Sequence, residues 1–485
     1  MLAGAPDDAV VLRPPPPAEA VADVAAAVRD ALRFPLAGEG LDSHARRGTR
    51  ATIVIESPAL PIPGSPNDPR MHAISAVVSE LERHGISTGY QTFLVAGGLA
   101  RRPSQKDLGT FVTPELARRF HGHVVVHDVE DPELVHLDDA SRPPLRVNRA
   151  LVETDLVIVV SAAESVLHGG PAALLAASGA DALRAAGAYS LLETTASQGW
   201  HLALAVERAL GQRVPLLGVS LVLNQPETSG PLRGYPYDPG ALQRIAGSPL
   251  RFVYGALPEM LRRDVLRSLR TDLTIAAAFG GPPSIAHAEA LLRAVQLRRA
   301  ELAEPLDAIV IGIPSVTPYL PRERPNPLLA AYLGLGLALR FWRDAFPVVD
   351  GGTAILLNRF SRHFAHPTQQ PYRAFFHATR AGRDPRVLAD AERAAAVDAR
   401  AIEEYRTGRT VHPLLPFRDW NGCQPALGRL GAVLVAGAGD ASVVRQLGFV
   451  PVHGLHAALE LARGQGHERI GFLLSPPYFP VRVGG

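Results

Sequence analysis

The first stretch with side chains suited to chemistry follows an apolar run that ends at Ser161. It contains Glu164, His168 and the pair Gly169-Gly170, and an alanine-rich segment comes next. An imidazole exchanges protons near neutral pH. Two glycines before a helix leave backbone N–H groups available for a phosphate. The pattern is typical of a binding loop at the end of a strand, although a lone glycine pair is more often a simple turn.

The second stretch, residues 358–380, is rich in arginine, histidine and glutamine. Its candidate ligand-binding residues are Arg362, His363, His366, Gln370 and Arg373. Arginine forms bidentate pairs with carboxylates and phosphates. The spacing of His363 and His366 suits one face of a helix. We therefore predict a loop in which Arg362 and Arg373 clamp an anion; a solvated loop with incidental histidines is the alternative.

Strands alternating with helices must position both stretches. Short apolar runs of the buried-strand type occur in "RATIVIES", "YQTFLVA", "DLVIVV" and "LLGVSLVLNQ", with amphipathic segments between them. A second series runs through "LDAIVIGIPS", "GGTAILLNRF", "AVLVAG" and "RIGFLLSP". This order predicts an α/β fold of two domains, each a mostly parallel sheet flanked by helices, with a cleft between them. In such sheets ligands bind at the carboxyl ends of the strands.

Length and composition suggest where the domains divide. A chain of 485 residues is too long for one ordinary core. We expect a flexible lead-in over 1–18, an N-terminal domain over 19–283, an interdomain helix over 284–304 and a C-terminal domain over 305–485. The apolar segment 326–342 is short for a membrane span and is interpreted as a buried helix.

Charge and cysteine usage exclude several classes of partner. Lys+Arg total 49 and Asp+Glu total 47, so no basic excess points to nucleic acid, and no segment predicts a membrane interaction. The single cysteine, Cys423, rules out internal disulfides and agrees with a cytoplasmic location. Lysine occurs only at Lys106, which limits lysine-based covalent chemistry to one candidate. A small anionic molecule is the expected partner.

The order of several segments resembles the nickel-pincer-nucleotide lactate racemase family of two-domain 2-hydroxyacid racemases and epimerases. The segments are "TIVIESPALPIP", "FLVAGGLARRPS", "VVVHDVEDPELVHL", "VNRALVETDLVIVVSAAES" and "GWHLALAVERALG". The resemblance extends over roughly residues 20–225 and returns at the end of the chain. It implies the two-domain fold, a hydroxyacid substrate, a nickel-pincer nucleotide and proton transfer by histidines.

Several family positions differ in this sequence. The histidine after the strand is displaced to His168, and the position of the lysine that tethers the cofactor falls near Leu175 or Ala176. The catalytic histidine of an earlier loop is replaced by Ala100, although Arg101 remains. The Asp and Arg of the first loop fall on Ser57 and Leu60, while Pro61 and Pro63 are kept. We therefore expect no covalently attached nucleotide.

The resemblance assigns roles to the remaining polar residues. His201 falls on a family metal ligand, so it is a candidate nickel ligand and, with His168, a candidate catalytic residue; a polar residue in the first turn of a helix is the alternative. Arg101 and Glu164 are candidates for substrate binding, and Gly169 and Gly170 for cofactor binding. The expected function is that of a divergent racemase or epimerase, an isomerase of a 2-hydroxyacid or related anion. The alternative is a non-catalytic protein that binds a small anion on the same scaffold.

Overall fold

The structure is a computed structural model. It describes residues 9–57, 60, 68–104, 109–138, 143–258, 261–262, 264–265, 271–314, 325–364 and 366–484. Lys106, Pro61 and Pro63, which the sequence singled out, lie outside these ranges.

A six-stranded sheet organises the N-terminal half. Its strands, in spatial order, are β11 (Ile275–Gly281), β8 (Leu216–Leu223), β7 (Leu156–Ala162), β2 (Ala51–Glu56), β3 (Gln91–Ala96) and β4 (His123–Val126). All pairs are parallel except that β11 runs antiparallel to β8. Ile55 pairs with Val160, so Glu56 and Ser161 lie close together at the carboxyl ends of neighbouring strands.

Helices cover both faces of this sheet and connect its strands. They are α1 (Val24–Arg33), α2 (Leu41–His44), α3 (Pro69–Arg83), α4 (Pro114–Arg119), α5 (Pro171–Ala176), α6 (Ala180–Ala185), α7 (Gln198–Gly211), α8 (Pro239–Gly247), α9 (Leu250–Ala256) and α10 (Pro283–Arg298). Asp23, Asp68, Thr113, Ser197 and Asp238 cap the helices that follow them by accepting backbone N–H groups.

The second six-stranded sheet is parallel throughout. Its order is β1 (Val10–Leu12), β18 (Ile470–Leu473), β13 (Leu306–Gly312), β15 (Val348–Leu357), β16 (Ala432–Ala436) and β17 (Val450–Val452). Part of the expected flexible lead-in is therefore ordered, because β1 pairs with β18 at the edge of the C-terminal sheet. Its helices are α11 (Pro327–Ala331), α12 (Gln370–Ala378), α13 (Pro385–Ala396), α14 (Ala399–Arg406), α15 (Leu415–Leu427), α16 (Ala441–Gln446) and α17 (Leu455–Gly464).

Smaller sheets complete the described fold. β12 (Ala300–Leu302), β19 (Val481–Val483) and β14 (Trp342–Arg343) form a parallel three-stranded sheet. β5 (Val135–Asp138) pairs with β6 (Leu145–Val147), and β9 (Glu227–Thr228) with β10 (Thr271–Asp272), both antiparallel. The helix predicted over 284–304 ends at Arg298, because residues 300–302 pair with β19.

The buried core runs continuously between the two halves. One hydrophobic cluster contains Val159 of the first sheet, Leu291 of α10 and Leu356 of the second sheet. The apolar segment 326–342 contributes α11 and the π-helical turn Tyr332–Leu337, whose residues are all buried, as predicted. None of the helices in the described part of the chain combines the length and apolar composition that crossing a bilayer requires.

Candidate functional site

The glycine pair after β7 is occupied by the protein's own side chains. The Gly169 N–H donates to Oε2 of Glu56 at 2.7 Å, and the Gly170 N–H donates to Oγ of Ser161 at 2.9 Å. The helix that follows, α5, has only six residues. The two N–H groups predicted to hold a cofactor phosphate are therefore already bonded within the fold.

Glycine is required at both positions of this pair. Gly169 and Gly170 have φ values of +90° and +53°, in the left-handed region. A Cβ at position 170 would lie 2.3 Å from Cβ of His287, and one at position 169 would lie 2.5 Å from Cε1 of the same ring. The glycines thus serve close packing between the loop and α10.

Glu56 was missed by sequence reasoning. It is half-buried at the carboxyl end of β2. Burial raises the pKa of its carboxyl to about 8; the nearby Glu164 acts in the same direction, and the Gly169 hydrogen bond opposes the shift. A carboxyl with such a pKa exchanges a proton near neutral pH. The sequence signal was its position as the last strand residue before a proline-rich loop.

Glu164, predicted to bind substrate, forms an internal ion pair. Its Oε2 lies 3.1 Å from Nη1 of Arg70, and both residues are buried. Nη2 of Arg70 also lies 2.6 Å from Oδ2 of Asp68, the cap of α3. Arg70 was not singled out from the sequence, since it lies in the first turn of an ordinary amphipathic helix.

His168, predicted to be catalytic, is held by neighbours that disfavour its charged form. Its Nδ1 lies 3.0 Å from Oγ of Ser165. Burial lowers the pKa of His168 to about 3, with further lowering by Arg418, Arg340 and His287. An efficient general acid or base has a pKa near the working pH. The surroundings of His168 therefore do not suit the predicted proton transfer.

A second imidazole lies directly beneath the loop. His287 of α10 is fully buried, with Nε2 3.0 Å from the Ser165 carbonyl and Nδ1 3.2 Å from Oγ of Ser220. Nε2 must donate to that carbonyl, so Nδ1 accepts from the hydroxyl of Ser220. Burial lowers the pKa of His287 to about 4. Its role is to support the loop, and nothing in the sequence around position 287 distinguished it.

His201, the predicted nickel ligand, lies exposed in the first turn of α7. Its Nε2 is 3.2 Å from the Thr195 carbonyl, which matches the polar helix-start interpretation. Within the described ranges, no group of three or more His, Cys, Asp or Glu side chains is arranged to hold a metal ion. At the tether position Leu175 is buried in the core. Together with the bonded glycine N–H groups, these residues do not fit the nickel-pincer nucleotide.

Arg101, predicted to bind substrate, instead contacts the C-terminal half. It is half-buried, and its Nη1 is 3.4 Å from the Gly408 carbonyl. Nearby, Tyr405 donates to the Gly98 carbonyl at 3.1 Å, and His412 lies 3.0 Å from Glu130. The loops after β3 and β4 are thereby joined to the last turn of α14 and to the loop after it.

A cavity for about one water molecule lies between the halves. It is lined by Leu60, Ala163, Glu164, Leu192, Leu291, Ala294, Val295, Arg298, Phe341, Tyr478 and Pro480. Both Arg298 and Tyr478 are buried, and neither Nε of Arg298 nor Oη of Tyr478 has a hydrogen-bond partner among the described residues. Burial lowers the pKa of Arg298 to about 10 and raises that of Tyr478 well above its usual range. The cavity includes Leu60, at the position of the family's arginine, so an apolar side chain faces this space.

A larger pocket lies in the C-terminal half, in the stretch predicted as an anion clamp. It has a volume of about 380 Å³ and is lined by Arg362, His363, Phe364, Arg373, Phe376 and His377. Arg362 is 3.4 Å from Oγ of Ser442 and 3.9 Å from Oδ2 of Asp440. The side chains of His363, Arg373 and His377 are exposed and have no hydrogen-bond or ion-pair partner within the described ranges. We call these six residues the arginine pocket.

The other residues predicted in this stretch lie outside the arginine pocket. His366 caps the 3-10 turn Pro367–Gln369, because its Nδ1 accepts the Thr368 N–H at 3.3 Å; the same Nδ1 lies 2.8 Å from Oγ1 of Thr368. Gln370 is exposed at the start of α12. The expected helical face joining His363 and His366 is wrong, because the chain between β15 and the 3-10 turn is a loop in its described part.

The predicted single site is thus divided. The arginine pocket has no lining residue in common with the cavity beside Glu164, and neither His168 nor His201 lines either of them. The arginine pocket follows the carboxyl end of β15, and the loop that contains Glu164 follows the carboxyl end of β7.

Comparison with known proteins agrees with this fold. Residues 4–169 match the family model of the lactate racemase N-terminal domain. The lactate racemase apoprotein from Thermoanaerobacterium thermosaccharolyticum is similar over 99% of this chain and 96% of its own, with a TM-score of 0.60 and 16% identity. A protein from Thermotoga maritima is similar over 95% of this chain and 97% of its own, with a TM-score of 0.52 and 10% identity. No curated protein matches the chain. The family resemblance and the α/β fold predicted from the sequence are confirmed.

Proposed function

We propose that this chain, whose residues 4–169 match the family model of the lactate racemase N-terminal domain, is a binding protein for a small anionic molecule. The observation that carries the proposal is the arginine pocket, in which Arg362 and Arg373 line one space with His363 and His377. The nearly balanced charge of the chain supports a small-molecule partner rather than nucleic acid or a membrane. Its single cysteine supports a cytoplasmic location.

The free donors of the arginine pocket support anion binding. Arg373 presents a planar guanidinium that has no partner among the described residues, so a ligand displaces only water from it. Guanidinium groups bind carboxylates and phosphates through two parallel hydrogen bonds. The pocket lies beyond the carboxyl end of β15, the usual place for ligands in parallel sheets.

The state of the family's own site supports binding rather than nickel-dependent racemisation. The Gly169 N–H is bonded to Glu56, the Gly170 N–H is bonded to Ser161, and burial lowers the pKa of His168 to about 3. Each of these groups is committed to packing or to internal hydrogen bonds.

Calorimetric titration of the purified chain tests the proposal. A charge-assisted hydrogen bond contributes about 1.5–3 kcal/mol. We expect Arg373→Gln to lower the affinity for a carboxylate or phosphate that the wild type binds by about ten- to a hundredfold. Arg380→Gln is the matched control. Arg380 is exposed just after α12, the helix that carries Arg373, and does not line the pocket. Equal loss in both variants, or no anion binding by the wild type, contradicts the proposal.

A second candidate function is isomerisation of a 2-hydroxyacid by a racemase or epimerase. The observation in its favour is Glu56, whose pKa of about 8 suits a group that removes a proton from carbon and returns it. Enantiopure lactate and larger 2-hydroxyacids incubated with the protein in D₂O would then lose optical rotation and gain deuterium at C2. Both changes should disappear in Glu56→Gln. Retention of configuration without deuterium uptake across the panel excludes this second function.

A further inference from the structure

We infer that the arginine pocket takes a phosphate monoester whose organic group is a flat ring, rather than a small 2-hydroxyacid. The inference rests on the proposed function, since it names the chemical class of the anion. It follows from three features of the pocket: its number of donors, its paired phenylalanines and its size.

The donors exceed what one carboxylate needs. Arg362 and His363 come from the loop after β15, and Arg373 and His377 come from α12, so two elements each present a guanidinium and an imidazole. A carboxylate is satisfied by a single guanidinium fork. A phosphate monoester carries a charge of about −1.5 to −2 and three strong acceptor oxygens. Donors on two different elements therefore match the three oxygens of a phosphate better than the two oxygens of a carboxylate.

An acidic residue beside these donors, Asp440, is already bonded. Asp440 lies 3.9 Å from Arg362, but its Oδ1 accepts the Ser442 N–H at 2.9 Å and the Ser442 hydroxyl at 2.6 Å as the cap of α16. These hydrogen bonds lower the pKa of the Asp440 carboxyl, the Ser442 hydroxyl bond most. Asp440 thus lies beside Arg362 without lining the pocket, and no acidic side chain is among the residues that line it.

Two phenylalanines supply the apolar part of the pocket. The rings of Phe364 and Phe376 are tilted, with centroids 5.5 Å apart, and the guanidinium carbon of Arg362 lies 5.9 Å from the centroid of Phe376. Phe364 is half-buried and so presents part of its ring to the space, whereas Phe376 is buried beneath it. Aromatic side chains favour flat rings through offset or edge contacts.

The volume agrees with a ring-bearing ligand. About 380 Å³ falls within the range of pockets that enclose drug-sized molecules. A molecule the size of lactate would contact the donors or the phenylalanines, and leave the rest of the pocket to water. A phosphate monoester of a flat ring would contact the donors with its phosphate and the phenylalanines with its ring at the same time.

Four probes distinguish these chemistries by calorimetry at one pH and one ionic strength: phenyl phosphate, inorganic phosphate, benzoate and lactate. We expect phenyl phosphate to bind at least about tenfold more tightly than each of the other three. Phe364→Leu should remove most of that advantage while leaving inorganic phosphate binding unchanged. Arg373→Gln should weaken phenyl phosphate and inorganic phosphate alike, and Arg380→Gln should change neither.

The outcomes separate this inference from the proposed function. If lactate or benzoate binds as tightly as phenyl phosphate and depends on Arg373, the ligand class is wrong and the anion-binding function stands. If phenyl phosphate keeps its full advantage in Phe364→Leu, the assignment of the ring to the phenylalanines is overturned. If none of the four probes binds, or if Arg380→Gln has the same effect as Arg373→Gln, both proposals fail.

Discussion

The loop after β7 and the arginine pocket after β15 follow the carboxyl ends of parallel strands in two different sheets, but the polar groups of the two regions differ in their partners. In the loop after β7, the backbone N–H groups of Gly169 and Gly170 and the carboxylate of Glu164 are bonded to other parts of the protein. In the arginine pocket, Arg373 and two histidines are exposed and unbonded among the described residues.

Positions that resemble those of a family can therefore have hydrogen-bond partners other than the ligands that the resemblance implies. Residues 4–169 match the family model of the lactate racemase N-terminal domain, yet Glu164 and Gly169 within them are bonded to other parts of the protein. The unbonded donors of the arginine pocket lie instead in a segment with no counterpart in the family pattern recognised from the sequence. Substitutions in the loop should therefore change folding stability, and substitutions in the pocket should change ligand binding.

The largest effect is expected for Gly170→Ala. The new Cβ would lie 2.3 Å from Cβ of His287, whose ring is bonded at both nitrogens, so backbone must move. We expect a loss of about 3 kcal/mol or more in the free energy of unfolding. Gly437→Ala is the control, because Gly437 also has a positive φ but has open space around it; it should lose only about 1 kcal/mol. Equal losses would mean that the loop is not tightly packed on His287.

The next effect concerns the pH dependence contributed by Glu56. Its folded-state pKa of about 8 exceeds its ordinary value of 4.5, so the folded protein binds more protons than the unfolded chain between these limits. Stability should therefore fall as pH rises from about 4.5 to 8 and then level off. The shift sets an upper limit of about 5 kcal/mol, and solvent screening of this half-buried side chain reduces the expected fall to about 2 kcal/mol. Glu56→Gln should remove this fall because the amide does not titrate. The fold should be kept, since the amide oxygen can still accept the Gly169 N–H.

Denaturant unfolding at a series of pH values measures the Glu56 contribution. The exposed Glu289 provides the control, and Glu289→Gln should reproduce the wild-type curve. A curve for Glu56→Gln that also falls between pH 4.5 and 8 would show that another group produces the dependence.

A smaller effect is expected for Tyr478→Phe. The hydroxyl of Tyr478 has no partner in the described part of the chain, so its removal should leave the free energy of unfolding unchanged or raise it by up to about 1 kcal/mol. The control is Tyr235→Phe, which removes a hydroxyl that donates to the Ser475 carbonyl at 2.6 Å and should lose about 1 kcal/mol. A loss above about 1 kcal/mol for Tyr478→Phe would indicate a bonded water in the cavity.

The smallest effect is expected for His201→Ala. His201 is exposed, and the hydrogen bond of its side chain is to a loop carbonyl, so stability should change by no more than about 0.5 kcal/mol. Elemental analysis should find the same metal content in the variant and the wild type, with His456→Ala as an exposed control. Loss of nickel in His201→Ala alone would restore the predicted metal site and weaken the contrast between the two regions.

Local pattern predicted most of the strands that build the site. The apolar runs at "RATIVIES", "YQTFLVA" and "LDAIVIGIPS" became β2, β3 and β13 within a few residues of their expected limits. Period and length suffice for such buried parallel strands, because each run is apolar on both faces and ends at turn-forming residues. The end of the interdomain helix and the strand β1 were missed, since both depend on pairing with the C-terminal strands.

The sequence by itself determined the α/β fold, the family resemblance and the place of the arginines, because each of these resides in segments of a few tens of residues. Only the tertiary structure decided which polar groups are free. Glu56 and Gly169 are separated by 113 residues, and Arg298 and Tyr478 by 180. Whether a carboxylate meets a backbone N–H or a ligand depends on how distant segments pack, and packing determines burial, hydrogen-bond partners and therefore pKa. For the same reason, the single predicted cleft site became an internally bonded loop and a separate arginine pocket.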